Sequence, residues 1–468
     1  MGKTVMLSTI IYGLIRKYTS KQVNLYLIDC GSMVLKIFEG SHHVGGVVLS
    51  SETEKCKNLF KLLQKIIVDR KKILSSKGIG SFSAYLEAGN EDMPEVVVII
   101  DNFAAFKEYF PDETEEISSI VREAQGVGLS FIITAQASNA MNYRVQANFG
   151  TKFILNCNDT NEYSNFFGHT KITPKEVPGR GLLMLEKRIL EFQTALFGHS
   201  DKEAERSEEF KEFIGKRNLD CQDKAVKIPM IPDRLVLDEI MSEEKEMFRQ
   251  KETLPVGMDF ESVEYTMINL HMLSSLSLVG ENESRDIFAG SFVKMMAKTA
   301  IFHNIEGYII DDKSQKLKEY ETAGFVKTYS GDAVDGFQAV CDFIEEVEKR
   351  LSSDEEGSML VLVLNSLDVL RKISQEQAIS KKLSDILKSA KEADVFLFIT
   401  CVENAAVGFS GPEILKQLKA EQSGVYFGQL TDNKFYEFNG RVKPDPTLTN
   451  TCGYLISGSN RAKIKIFE

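Results

Sequence analysis

Residues 96–101 read Val-Val-Val-Ile-Ile-Asp, and residues 359–365 read Met-Leu-Val-Leu-Val-Leu-Asn. Each is an unbroken aliphatic run closed by one polar residue. A strand that is apolar on both faces has to be covered on both, the condition of a mostly parallel sheet with helices on either side. Similar runs at Val23–Ile28, Phe131–Thr134, Phe153–Leu155 and Gly181–Met184 alternate with helix-period stretches such as 55–74 and 114–124. A second series follows at Leu276–Val279, Gly307–Ile310, Val395–Ile399, Val425–Phe427 and Gly453–Leu455. The expected class is α/β, with mostly parallel sheets and helices on both faces.

The two series keep step. Asp101 and Asn365 stand 264 residues apart, the runs from Phe131 (FIITAQ) and Phe396 (FLFITC) 265, and Gly181 and Gly453 272. Three matches in order imply a tandem duplication. Between the copies, the charged stretch from Asp201 predicts a helix, and IPMIPDRL from Ile228 carries two of the ten prolines. X-Pro steps favour extended chain, so this segment reads as a strap opening the second module. The boundary is expected near residue 226, giving modules 1–226 and 227–468.

Composition narrows the function classes. The 468 residues are enough for two to four cores, and the net charge of -12 supplies no sequence-independent attraction to nucleic acid or anionic lipid. The seven cysteines are scattered and odd in number, which fits neither a disulfide framework nor a zinc site. No run reaches the roughly 18–20 apolar residues of a membrane span. His42-His43 is expected in a solvated loop, and Glu113, Glu115 and Glu116 at a solvated helix start favoured by the helix dipole.

The chemistry-bearing residues lie at predicted strand ends. Met1-Gly2-Lys3-Thr4, followed by the helix-like VMLSTIIYGLIRKY, is the second half of the phosphate loop G-x-x-x-x-G-K-[ST]. In that motif, helix N-terminal amides cradle phosphate, the lysine neutralises it and the hydroxyl ligates Mg²⁺. Asp101, closing its strand, has the form of the acidic residue that holds the Mg²⁺ shell. Gln136, in Thr134-Ala135-Gln136, ends the next strand, where an amide can reach the γ-phosphate or the attacking water. The candidate site is therefore Gly2, Lys3, Thr4, Asp101 and Gln136, with ATP as ligand and Mg²⁺ on Thr4 and Asp101. Such ligands gather at the carboxyl ends of parallel strands.

These motifs, with VREAQGVGLSFIITAQ from Val121, PGRGLL from Pro178, the strap and LPVGMDF from Leu254, resemble the FtsK/SpoIIIE class of ring-forming motor ATPases. Within it the chain looks most like the last two ATPase modules of the EssC/YukB family of type VII secretion, over essentially its whole length. The resemblance implies two tandem P-loop NTPase (RecA-like) modules in a motor that moves small helical-hairpin proteins of the WXG100 type. It also implies contacts with other secretion-machine subunits, a homo-oligomeric ring in the full-length protein and a place at the cytoplasmic face of the cell membrane. The family has a membrane anchor and a further ATPase module upstream, so Met1 is expected to fall inside a phosphate loop whose first half precedes it. Membrane contact is expected only through that upstream region. The rival readings are a DNA translocase, against which stand the net charge and the lack of a winged-helix domain after the motor, and a non-hydrolysing scaffold. DNA is not the expected partner.

Several departures bear on mechanism. The family has a carboxylate after the strand-ending Asp, where this chain has Asn102, and an amide cannot accept a proton from water. Ala124-Gln125-Gly126-Val127-Gly128 replaces G-R-x-x-G, and Thr151-Lys152 replaces Thr-Arg. The first module is expected to bind ATP and hydrolyse it weakly. In the second, after Gly280, the G-K-T positions are expected at Arg285, Asp286 and Ile287, the strand-ending Asp is Asn365, and the Gln136 equivalent is read as Cys401. That pattern implies a degenerate site in a module that docks substrate or packs the ring. Ile287 and Phe288 are placed either in a groove lining or in the core.

Overall fold

A computed structural model describes residues 2–168, 170–185, 188–200, 202–352 and 357–468, the side chain of Asn282 excepted. Met1 and Asp201, which open the phosphate-loop motif and the charged helix, lie outside the described residues. The chain divides into two compact units, Met1–Met230 and Ile231–Glu468.

Unit 1 contains strands β1 (Val23–Asp29), β2 (Val44–Leu49), β3 (Glu95–Asp101), β4 (Leu129–Ile133), β5 (Phe153–Leu155), β6 (Arg180–Leu185) and β7 (Arg188–Gln193). The first four form a parallel sheet in the order β2-β1-β3-β4, and the last three an antiparallel sheet. Alternation along β3 accounts for its all-apolar sequence. Val96, Val98 and Ile100 join the core beneath the helix Thr53–Ser76, while Val97 and Ile99 join the opposite core with Leu7, Ile11 and Ile15 of the helix Lys3–Lys17. Both faces are thus paid for by helices, as the sequence pattern requires.

The strap is divided between the units, its first residues, 228–230, closing unit 1 and the rest, from Ile231, opening unit 2. Ala225 N–H donates to the His42 carbonyl (2.8 Å) and Ile228 N–H to the Gly45 carbonyl (3.1 Å), covering the outer edge of β2. A Cβ on Gly45 would meet the Tyr26 ring at 2.3 Å and the Val226 carbonyl at 2.4 Å, so the close approach selects glycine. The same seam corrects the reading of His42-His43. His43 is fully buried, its Nε2 2.9 Å from the Tyr18 carbonyl, and His42 Nδ1 lies 2.6 Å from the Cys221 carbonyl. Glu113 is likewise buried rather than solvated, and burial raises its pKa.

Unit 2 contains β8 (Thr253–Asp259), β9 (Tyr265–Asn269), β10 (Ser275–Gly280), β11 (Ile305–Asp311), β12 (Val326–Ser330), β13 (Met359–Asn365), β14 (Val395–Val402), β15 (Ser423–Phe427), β16 (Cys452–Ser457) and β17 (Asn460–Lys465). They form one sheet in the order β12-β11-β13-β14-β10-β15-β16-β17-β8-β9, parallel as far as β15 and antiparallel beyond it. The order β2-β1-β3-β4 of unit 1 repeats as β12-β11-β13-β14, and β5-β6-β7 as β15-β16-β17. Register refines the duplication. Ile100 pairs with Ile133, and Leu364 with Ile399, so the β4 to β14 offset is 266 rather than 265. Gln136 therefore corresponds to Val402, and Cys401 to Ala135.

Candidate functional site

The site of unit 1 is built where β3 ends against the start of a helix. Gly2 takes a left-handed conformation (φ 101°, ψ 1°), and the helix Lys3–Lys17 begins immediately after it. Its first turn carries no acidic residue, so no side chain of the helix itself offsets the N–H groups and positive dipole end there. Thr4 Oγ1 donates to Asp101 Oδ2 at 3.0 Å, and Thr134 Oγ1 donates to Asp101 Oδ1 at 2.5 Å. Thr134 is fixed in turn by the Asn102 N–H, which donates to its Oγ1 at 2.9 Å. Two hydroxyls from two elements thus orient a carboxylate that is only 4% exposed.

A second carboxylate stands beside the first. Asp29, closing β1, is the register partner of Asp101. It accepts the N–H groups of Gly31 (3.1 Å), Ser32 (3.0 Å) and Leu35 (2.9 Å), which spends its charge on holding the loop after β1. Sequence reasoning missed both Asp29 and the role of Thr134. The signal for Asp29 was available: Leu25–Ile28 is an apolar run closed by Asp, a shorter version of residues 96–101. Cys30 follows Asp29, and burial, helped by the Asp29 and Asp101 carboxylates, pushes its thiol up to about 12. It is a thiol at neutral pH rather than a nucleophile.

Asn102 has a structural use for its amide. Its backbone is left-handed (φ 67°), a region Asn tolerates, and its Oδ1 accepts from Ala105 N–H at 3.5 Å at the start of the helix Phe103–Tyr109. Gln136 is exposed, two residues beyond Thr134. With Lys3 and Lys152 it lines a cavity of about 500 Å³, walled by Leu7 and Ile10 of the first helix, the end of β4 and all of β5. Lys152 Nζ sits 5.7 Å from the centre of the Phe166 ring. Among the described residues, no hydrogen bond links Lys3 or Gln136 to Asp101; Thr4 and Asp101 are in direct contact. The 124–128 stretch lies at the opposite end of the sheet. There the Arg70 guanidinium donates to the carbonyls of Val127 (2.9 Å), Gly128 (2.8 Å) and Pro94 (2.6 Å). Its departure from the family pattern is a packing feature, remote from Asp101.

Among its described residues, unit 2 arranges the corresponding positions differently. After β10 the chain turns through Glu281 straight into the helix Asn282–His303, and Glu281 N–H donates to the Phe427 carbonyl at 3.0 Å. Gly280 has φ 114°, and a Cβ there would lie 1.8 Å from that carbonyl, so the turn is closed against the sheet. No loop is left to wrap a phosphate. Arg285, Asp286 and Ile287 fall within the first turns of the helix rather than at its head. Asp286 is paired with Lys316 and has Arg285 Nε at 3.7 Å. Phe288 is 2% exposed and stacks on Phe292, with centroids 5.8 Å apart, and Ile287 packs on the same core. Phe288 belongs to the core, and the half-buried Ile287 packs against it. Asn365 Nδ2 donates to Asp311 Oδ1 at 2.7 Å, and its Oδ1 accepts from the Thr400 hydroxyl. Burial pushes the Cys401 thiol up to about 12.

With this geometry in place, comparison with known proteins is informative. Residues 1–149 match the model of the FtsK/SpoIIIE family. The whole chain aligns with the type VII secretion system protein EssC of Staphylococcus aureus, 22% identical over 475 residues in strain MRSA252 and 26% over 476 in strain MSSA476. It also aligns over 99% of its length with the ESX secretion system protein EccC of Geobacillus thermodenitrificans, 23% identical over 490 residues. The chain spans 31–32% of the length of these relatives. Among solved structures, the whole chain superposes on EssC (ATPases 2 and 3) from Geobacillus thermodenitrificans, covering 89% of it at a TM-score of 0.83 and 20% identity. It also superposes on Thermomonospora curvata EccC (ATPases 2 and 3) in complex with a signal sequence peptide, covering 86% at a TM-score of 0.59 and 18% identity. The fold is therefore that of tandem α/β ATPase domains. The chain carries an FtsK/SpoIIIE-family domain over residues 1–149 and is homologous across its whole length to the EssC/EccC type VII secretion ATPases.

Proposed function

We infer that this chain is the ATP-binding part of a type VII secretion motor, in which unit 1 takes MgATP and unit 2 acts without nucleotide. The Thr4–Asp101 contact carries this reading. A hydroxyl and a carboxylate 3.0 Å apart at the N-terminus of a helix form a hard oxygen donor pair suited to Mg²⁺ beside phosphate. Thr4 and Asp101 would hold the metal, Lys3 and the first-turn amides would meet phosphate charge, and Gln136 would approach from the cavity side. Bound Mg²⁺ would neutralise charge on the phosphate oxygens. Asn102 supplies no base, so hydrolysis is slow. Unit 2 engages the exported protein, a helical hairpin of the WXG100 type with its signal peptide, or packs the ring, at the cytoplasmic face of the membrane with other machine subunits. Support for that assignment comes from the EssC/EccC homology and from the closed turn at Gly280.

Calorimetric titration of the chain with MgATP tests the reading. One nucleotide per chain is expected, lost in Asp101→Asn and retained in Asn365→Ala. Two nucleotides per chain, or one that survives Asp101→Asn, would overturn it.

A further inference from the structure

An aromatic side chain stands out in water at the same place in both units. Register fixes the offset between β4 and β14 at 266, and carried past the ends of those strands it sets Tyr143 against Phe409. The eleven residues from Ile133 and from Ile399 align without a gap, as Ile-Thr-Ala-Gln-Ala-Ser-Asn-Ala-Met-Asn-Tyr and Ile-Thr-Cys-Val-Glu-Asn-Ala-Ala-Val-Gly-Phe. Burial follows the alignment: Met141 and Val407, two residues before each aromatic, are half-buried and pack on the core of their own unit. Tyr143 is 84% exposed and Phe409 100%, the two most exposed aromatics among the described residues. A single exposed apolar residue needs no explanation, but the same extreme at equivalent positions of a duplicated fold does.

The units differ in what surrounds the repeat. Unit 1 has the helix Glu203–Asp220 after its last strand, and unit 2 has the hairpin of β8 and β9 before β10. Neither addition shields the aromatic. Asp101 and Gln136 of unit 1 correspond to Asn365 and Val402, so the aromatic is kept where the nucleotide-site residues are not.

Each ring is held out by a braced backbone. In unit 1, Asn142 Oδ1 accepts the Val145 N–H (2.9 Å) at the start of the short helix Tyr143–Gln146, and Gln146 Nε2 donates to the carbonyls of Ser138 (2.7 Å) and Met141 (2.8 Å). In unit 2, Gly411 N–H donates to the Gly408 carbonyl (3.0 Å), closing a tight turn with Phe409 and Ser410 at its tip, and Ile414 N–H donates to Ser380 Oγ (3.1 Å). An aromatic presented in this way loses little freedom when it is covered, which is the property of an interface anchor.

Charge narrows the partner. Residues 135–152 contain no acidic side chain and two cations, Arg144 and Lys152, and Arg144 is exposed beside Tyr143. Around Phe409 the nine residues 404–412 are uncharged, and the flanking Glu403 and Glu413 are paired with Arg371 and Lys416. Both tips therefore suit an apolar side chain, and the first also suits a carboxylate next to it. They offer side chains and no strand edge, so a partner has to satisfy its own backbone, as a helix does.

We propose that Tyr143 and Phe409 are equivalent docking points for an acidic amphipathic helix of another polypeptide. Its apolar side chains cover each ring, and in unit 1 its carboxylates meet Arg144. For unit 2 this rests on the inference that the unit engages a polypeptide; for unit 1 it stands apart from that inference, and in neither does it need nucleotide.

The full chain is mixed with a peptide of about eighteen residues that has leucine at helical spacing and glutamate elsewhere, one leucine being replaced by a photoreactive benzophenone residue. Adducts are mapped by mass spectrometry and are expected over 139–144 and 405–410. Tyr143→Ser should reduce the first set about tenfold and leave the second, Phe409→Ser should do the reverse, and Tyr143→Phe should keep both. A peptide with lysine for glutamate should label unit 1 about threefold less, a difference that Arg144→Ala removes. No adduct at either tip, equal labelling in the serine variants, or equal labelling of unit 1 by the two peptides would overturn the proposal. So would self-association of the chain that either serine variant abolishes, since a second copy would then be the occupant. Adducts elsewhere on unit 2 that Phe409→Ser leaves unchanged would remove this docking point while keeping the engagement of polypeptide by that unit.

Discussion

Asn365 Nδ2 donates to Asp311 Oδ1 across 2.7 Å, at the register step where unit 1 sets Asp101 beside Asp29. Asp311 keeps the loop bond made by Asp29, since Leu317 N–H donates to it at 2.7 Å as Leu35 N–H does to Asp29 at 2.9 Å. Unit 2 thus satisfies its one carboxylate internally. Unit 1 holds two adjacent carboxylates, a local excess of negative charge that favours a cation.

Asn365→Asp should therefore destabilise unit 2, by about 2–3 kcal/mol at neutral pH, because a donor becomes a second charge beside Asp311. One carboxyl of such a pair has a raised pKa in the folded state, so the penalty should shrink as pH falls through that value. Urea unfolding at two pH values checks both points. Unchanged stability at neutral pH would show that the Asp311 bond carries little energy.

Thr4→Val and Lys3→Ala should each weaken MgATP binding by about tenfold or more, the scale of a hydrogen bond or contact to a charged group. They should separate in metal dependence. Thr4→Val acts through Mg²⁺ and should equalise affinity with and without the metal, whereas Lys3→Ala should leave that ratio intact. Identical metal dependence in both would remove Thr4 from the ligand set.

Asn102→Glu should raise ATP turnover above a near-background rate by supplying a base. It should also cost about 1–2 kcal/mol of stability, since glutamate is poorly suited to the left-handed φ of 67° and loses the cap on Ala105. Thermal melts and a coupled phosphate assay read the two effects separately. A folded variant with unchanged turnover would place the reacting side elsewhere.

His43 gives a pH test of the strap seam. Burial lowers its pKa below 6.5, with Arg217 and His42 acting in the same direction and the Tyr18 carbonyl opposing. The unfolded chain then binds the proton more readily, so stability is full above about 6.5 and falls as pH drops towards the folded value. His303 in unit 2 is lowered in the same sense. Comparison with His43→Gln isolates the unit 1 contribution, and the variant should melt lower at neutral pH yet lose less on acidification. Parallel melting curves would sink the assignment.

Much of the sheet architecture could be read in the sequence because doubly buried strands such as β3 and β13 leave no alternation to confuse with an amphipathic helix. Asp101 and Asn365 were legible for the same reason, as the single polar residues closing those runs. Other elements were hidden. β2 carries Gly45-Gly46, selected by the close passage of Tyr26 and Ile228, a contact between residues far apart in sequence. The one-residue slip between β4 and β14 moved the Gln136 equivalent from Val402 to Cys401, because similarity of apolar runs does not fix hydrogen-bond register. The closed turn after Gly280 was also invisible, since it depends on the Phe427 carbonyl beneath it. His42-His43 shows the converse: a polar pair expected in water is partly covered by a later segment at His42 and fully buried at His43.

The order of strands in unit 2 has a temporal consequence. β8 and β9 are the first strands of the unit to be made, yet β8 finds its inner neighbour, the link to the rest of the sheet, only in β17, where Ile464 pairs with Asp259 and Lys465 with Met258. Glu468 closes the same seam, exchanging backbone bonds with Leu235 and Leu237. During synthesis the opening hairpin must wait, the β8 edge unprotected, until β17 has been translated. A chain interrupted before β17 would display its parallel strands beside a first hairpin without a partner. Such a nascent chain is a natural target for chaperones and proteases that survey unfinished products.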